Sequence, residues 1–208
     1  MNNIDGQRIL KDVYALIAEL WCNPPEPDAN RVEIKKNAKD VIRRLQSIDE
    51  ESAMLLSKFL KQETIAEEDY IDLFELDPKC ALYLGSHTFD EPTTCANSAV
   101  SDRNGYMIEL VGIYNHFGRK PVANELPDYL PLMVDFLSLT TEAKDDPVRG
   151  KFINEYILPH LPAMHSKLGA LETPYIDLLE ALEKVVSIDQ ETQATSEPCE
   201  QEAEHYVG

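Results

Sequence analysis

Asp128 stands in "NELPDYLPLMVDFLSL", residues 124–139, between Pro127 and Tyr129 and with Leu126 and Leu130 outside them. A carboxylate at a proline-set corner can do two kinds of chemistry. It can accept backbone N–H groups at the start of the helix that Pro127 is placed to open. It can also pair with a basic side chain of another polypeptide, while the leucines and the tyrosine supply apolar anchors. Asp135 lies further along the same stretch. A second segment, "EEDYIDLFELD", interleaves Tyr70 and Phe74 with carboxylates in the same manner. The competing reading of both segments is an ordinary helix interface with a solvated acidic rim.

Bond-making chemistry finds no comparable support. There is no GxGxxG and no phosphate-cradling GxxxxGK[ST]. His160 and His165 are five residues apart, and a spacing of three or four is needed to share a helical face. Cys22, Cys80, Cys95 and Cys199 form no CxxC pair, so a zinc site is not expected. Cys80 sits in an apolar run and is expected to pack as a small buried hydrophobe. Neither catalytic residues, nor metal ligands, nor a cofactor are assigned.

The 208 residues carry 38 acidic and 19 basic side chains, a formal charge of −19. That surface disfavours nucleic acid, which is bound through cationic contacts to phosphate. It favours a basic partner, whose encounter it speeds at low salt. No apolar run approaches the roughly 18 residues of a membrane span, so membrane insertion is not expected. The start "MNNIDGQRIL" lacks the basic and apolar regions of a secretory signal. A cytoplasmic location with reduced cysteines is the expectation.

The elements that must position these residues read as helices throughout. "DGQRILKDVYALIAELW" repeats apolar residues at helical spacing and is stopped by "NPPEP". "DANRVEIKKNAKDVIRRLQSI" follows, with Asp28 a candidate cap, then "DEESAMLLSKFLKQ". The Glu50-Glu51 and Glu67-Glu68 pairs suit helix beginnings, where carboxylates meet the positive end of the dipole. Thr64 with Glu67 could form a capping box before "DYIDLFEL". "KCALYLGSHTF" reads as a short apolar helix, with strand as the alternative. "RNGYMIELVGIYNHFG" is helical, with Tyr106, Ile108, Leu110, Val111, Tyr114 and Phe117 as core candidates and Gly118 as the C-terminal cap. In the helix opened by Pro127, Leu130, Val134 and Leu137 share a face. Further helices are expected over residues 147–161 and 174–188. The fold class is therefore all-α: a single-domain bundle of roughly eight or nine helices over residues 1–189, with a disordered acidic tail over 190–208.

"LFELDPKCALYL", "GYMIELVGIYNHFG" and "ELPDYLPLMVDFL" resemble, in that order, the NarJ family. These are assembly chaperones, or delta subunits, of respiratory nitrate reductase and related molybdoenzymes, within the TorD-like maturation proteins. "YALIAELWCNPPEPD" is similar to the family's opening helix with its proline stop. The resemblance spans roughly residues 10–140, and ELPD-x-LP is its most specific part. It implies an all-helical chaperone without catalysis or cofactor. Its partner would be the catalytic (alpha) subunit of a molybdoenzyme, bound in the cytoplasm through that subunit's N-terminal segment. The client would be held ready for molybdenum-cofactor insertion and complex assembly. The Pro-Asp segment implies client-peptide contacts at Pro127, Asp128 and Tyr129, supported by Leu126 and Leu130. Asp135, Tyr70 and Phe74 join them as acid and aromatic neighbours. Tyr129 stands where the family commonly has His, and "SDRNG" keeps only Arg103 of an arginine-rich turn. The loop over 88–101 is long. These departures imply a divergent client. From the residues alone, a helical adaptor for another basic amphipathic peptide is the alternative.

Overall fold

The computed structural model describes residues 3–23, 28–62, 65–89, 101–121 and 125–194. Among these the protein is helical, with one isolated antiparallel bridge and no strand. The helices are α1 (Asn3–Leu20), α2 (Asp28–Leu45), α3 (Glu50–Lys61), α4 (Glu67–Phe74), α5 (Asp102–His116), α6 (Leu130–Leu139), α7 (Pro147–Lys151), α8 (Leu161–Ala170) and α9 (Tyr175–Ala194). Short 3-10 turns occupy Leu84–His87 and Thr141–Ala143.

α1 runs through the middle because its apolar stripe is wide. Leu10, Val13, Tyr14, Leu16, Ile17 and Trp21 are all buried. It packs chiefly against α6 on one side and α2 on another, while α9 packs against α3 and α8. α6 is almost wholly apolar; Leu130, Met133, Val134 and Leu137 are fully buried. At the far end of α1, Trp21 stacks on Tyr175 at 5.3 Å, and Phe74 meets Tyr175 edge-on at 4.7 Å. Two turns back from Trp21, α1 is also tied by charge. Asp189 of α9 accepts from Arg149 at 2.6 Å and from the Tyr14 hydroxyl at 2.9 Å. All three groups are buried. Burial and the neighbouring Asp189 charge push the Tyr14 phenol well above its ordinary value.

Local signals explain the helix ends. Asp49 caps α3 by accepting the Ser52 N–H at 2.7 Å. Ser101 caps α5 through the Asn104 N–H, and Asp146 caps α7 through the Val148 N–H. Gly118, at φ +65°, donates to Asn115 while Arg119 donates to Tyr114, closing a left-handed helix end as expected. α7 widens directly into a π-helical turn, Phe152–Ile157, which turns Phe152, Ile153, Tyr156 and Ile157 all inward.

Several sequence expectations are corrected. "KCALYLGSHTF" is neither α-helix nor strand: bends and the bridge residue Tyr83 lead into the short 3-10 helix Leu84–His87. The first residue before α4 is Ala66, without a side-chain cap; Thr64 lies outside the described residues. Asp28 opens α2, and its side chain is likewise outside them. On α5, Ile108 is 64 % exposed and Val111 is also outside the core; Ile113 takes the core position instead. A helix was not expected over 161–170, where α8 forms after Pro159. α9 continues to Ala194, beyond the expected domain end at 189; residues 195–208, the rest of the expected tail, lie outside the described residues. Most of the expected long loop, residues 90–100, does too.

Candidate functional site

The ELPD-x-LP segment forms a corner leading into α6, not the first turn of a helix. α6 starts at Leu130, so the proline in its first turn is Pro131, and Tyr129 precedes it without a side-chain cap. Tyr129 pairs with Tyr83 in the isolated bridge. The Leu84 N–H donates to the Asp128 carbonyl at 3.0 Å, and the Leu130 N–H donates to the Leu82 carbonyl at 2.8 Å. The two tyrosine rings lie 5.4 Å apart, and the Tyr83 hydroxyl donates to Glu125 at 3.1 Å. From α5, the Tyr114 hydroxyl donates to the Pro127 carbonyl at 2.6 Å. Strand was the alternative reading for the segment holding Tyr83, but its pairing with Tyr129, 46 positions on, has no local signal, because two backbone bonds need only two residues from each segment.

Asp128 is turned inward and is 0 % exposed. Its Oδ2 accepts the Gly85 N–H at 3.0 Å; Oδ1 is buried with no hydrogen-bond partner. Burial pushes its carboxyl above the ordinary range, against the pull of the Gly85 N–H and of Arg103. This corrects the expectation of an ionised cap held low at a helix start. Below the carboxylate lies an aromatic floor. Phe89 and Tyr106 rings are 5.1 Å apart, Tyr106 and His160 are 4.9 Å apart, and His160 shares a hydrogen bond with Thr88 at 2.7 Å.

The other expected site residues separate into an outer and an inner set. Leu126 is 47 % exposed, Pro127 and Tyr129 are half-buried, and Asp135 is exposed. Leu130, Tyr70 and Phe74 are buried. Tyr70 donates to the Trp21 carbonyl at 3.0 Å and sits edge-on to Phe74 at 5.1 Å, so both rings are core rather than surface anchors. Their periodicity was that of a helix interface, as the competing reading had it.

On α6, Leu132, Asp135 and Leu139 occupy one outward face at spacings of three and four; Leu132 is half-buried and Leu139 is 44 % exposed. This face adjoins the end of α1. Cys22 there is exposed, and its thiol is pushed up by partial loss of water around the sulfur and then by the charges of Glu19, Asp135 and Glu125. Three carboxylates from three segments thus all act on this one thiol. Tyr129, at the mouth of this face, has its phenol pushed up to about 12 by burial. Glu19, Cys22, Glu125, Leu139 and Gly85 were not singled out from the sequence. Glu125 lies in the quoted motif and Leu139 follows the helical period of α6, so those two were within reach. The others depend on contacts distant in sequence.

Among the described residues no group of three or more His, Cys, Asp or Glu is placed to hold a metal ion. Nor is any helix among them long and apolar enough to cross a membrane. Cys80 is buried, and its thiol is pushed up to about 11 by that burial.

The corner, α5 and α6 all fall within residues 44–166, which match the family described as nitrate reductase delta subunit. The chain is 25 % identical over 182 residues to the nitrate reductase molybdenum cofactor assembly chaperone NarJ of Escherichia coli (strain K12), covering 85 % of this chain and 72 % of NarJ. It is 27 % identical over 161 residues to the probable nitrate reductase molybdenum cofactor assembly chaperone NarW of the same strain, covering 75 % of this chain and 61 % of NarW. Since the family match takes in more than half of the sequence, this chain belongs to the nitrate reductase delta subunit family.

Proposed function

We propose that this protein is a system-specific cytoplasmic chaperone. It binds the apo catalytic subunit of a nitrate-reductase-like molybdoenzyme and assists molybdenum-cofactor insertion and complex assembly. It works by binding and catalyses no reaction. The contact is made with the client's N-terminal segment, taken as an amphipathic helix with a basic residue among its apolar ones.

The observation that carries this reading is the acid-rimmed apolar face beside the corner. Leu126 and Leu139 are exposed, Tyr129 is half-buried and Asp135 is exposed between Leu132 and Leu139 on α6, while the charges of Glu19, Glu125 and Asp135 all act on Cys22. Apolar anchors supply most of the affinity in such a helix-on-face contact, and carboxylates select Lys or Arg. Leu126 and Tyr129 form the ridge of the corner, which is tied down by the bonds at Pro127 and Leu130, and Tyr70 and Phe74 lie in the core.

Titration calorimetry of the full chain with a synthetic N-terminal peptide of a nitrate reductase catalytic subunit tests this. Binding should weaken several-fold between about 50 and 300 mM salt, because screening shortens the reach of exposed charges. Leu126→Asp should weaken it about tenfold or more. A peptide that does not bind, or binds with no dependence on Leu126, overturns the reading. Pulldowns that recover another basic peptide-bearing protein, and no molybdoenzyme subunit, would instead favour the adaptor.

A further inference from the structure

We propose that Asp128 is a positioning residue: by gripping the Gly85 backbone it latches the 82–89 segment to the corner, and so sets the ridge of exposed Leu126 and half-buried Tyr129. This deepens the proposed function, on which the peptide-binding arm of its test rests.

A carboxylate that is 0 % exposed reaches no partner outside the fold while the corner is closed. Its Oδ2 is bonded to the Gly85 N–H at 3.0 Å, 43 residues away in sequence. That bond continues the two backbone rungs at Leu84 and Leu130, so three consecutive hydrogen bonds join the same two segments. The rungs are backbone groups and select no register of their own. Asp128 is what fixes their register, because its short side chain reaches only the next N–H.

Gly85 is fitted to this grip. A Cβ built there would lie 2.9 Å from Asp128 Oδ2 and 3.2 Å from the Tyr106 ring. The first of these distances is closer than a methyl and an oxygen can approach without movement. The requirement here is for space, not for unusual backbone angles. Burying a carboxylate with one oxygen unpartnered is costly, and a merely decorative role would not sustain it. The ridge inherits the benefit. Tyr129 follows Asp128 directly and faces Tyr83, which in turn holds Glu125.

Amide hydrogen exchange on the full chain reads the latch without any client. Asp128→Ala should speed exchange at Gly85 and Leu84 by about tenfold or more, with Ile17 and Leu179 unchanged. Asp128→Asn should leave it within about threefold, because the amide oxygen still accepts and its NH2 replaces an oxygen that has no partner. Gly85→Ala should loosen the segment in the native protein and do less in an Asp128→Ala background, a coupling that independent sites would lack. The same variants are then titrated with the N-terminal peptide. Asp128→Asn should keep the affinity within about threefold, whereas Asp135→Asn should reduce both affinity and its salt dependence.

Unchanged Gly85 and Leu84 exchange in Asp128→Ala would overturn the latch. So would a tenfold affinity loss in Asp128→Asn with exchange intact, which would make the charge itself a client contact. Should Asp128→Ala not fold, Asp128→Asn and Gly85→Ala still decide the matter. If the native protein binds no peptide, the functional reading fails, and the exchange results judge the latch alone.

Discussion

Asp49, Asp128 and Arg149 show how differently one charge behaves in three settings. Asp49 accepts the Ser52 N–H at the head of α3, and its carboxyl is held below the ordinary range by hydrogen bonding to Ser52. A carboxyl lowered by folding gives stability that is present above its unfolded pKa and lost as pH falls through the folded one. Asp49→Ala should cost about 1 kcal/mol at neutral pH, read by urea unfolding, and should flatten the acid limb; Asp49→Asn should cost less. Asp128 has the opposite sign, since burial raises its carboxyl. The folded state then holds the proton more tightly, and this group's contribution falls as pH rises from its unfolded value to its raised one. Arg149 is fully buried against Asp189, Tyr14 and Thr140. Arg149→Leu takes the paired cation away from the buried Asp189 carboxylate and should cost about 3–5 kcal/mol in denaturant. The Arg149→Leu, Asp189→Leu pair should cost less than the single change, because no charge is then stranded.

α5 and the 82–89 segment illustrate what an element's surroundings do to its pattern. α5 presents apolar residues on both faces, and tertiary contacts choose between them: Leu110, Ile113 and Tyr114 go inward, Ile108 outward. Ile108→Gln should therefore change stability by no more than about 0.5 kcal/mol, while Ile113→Ala should cost about 2–5 kcal/mol by thermal or urea unfolding. The 82–89 segment is bracketed by two histidines whose burial lowers their pKa from 6.5: His87, hydrogen-bonded to the Ala81 carbonyl at 2.7 Å, and His160 beneath Phe89. A histidine lowered by folding must be forced to charge in the native state, so stability is lost as pH drops below about 6.5. Exchange at the amides of residues 82–89 should rise between pH 6.5 and 5 after correction for intrinsic rates. Replacing His160 with Gln should weaken that rise.

The whole molecule is a helical bundle in which α1 and α9 are joined twice, by the Trp21–Tyr175 stack and by the Tyr14–Asp189–Arg149 group. The second tie lies within six residues of the last described residue, Ala194. A chain ended after Ile188 should thus lose stability by an amount similar to Arg149→Leu, whereas one ended after Ala194 keeps every described contact. Circular dichroism melts of the two truncations check this. The net charge of −19 acts over the whole surface. It would steer a basic client of the kind proposed, so association rates should fall with salt more steeply than dissociation rates rise.

The sequence by itself determined the helical class, the central apolar helix, the cap at Gly118 and the family, because each rests on local spacing or on a contiguous motif. It marked the ELPD-x-LP corner as special and pointed to a carboxylate there. The direction in which Asp128 faces was decided only by tertiary structure. The same residues are compatible with a helix start, and only the arrival of Gly85 from 43 positions away supplies the donor that turns the carboxylate inward. Tyr70 and Phe74 were decided in the same way. An aromatic beside an acid looks alike in sequence whether it meets solvent or Trp21 and Tyr175, since burial is a property of what packs against a face and not of the face itself.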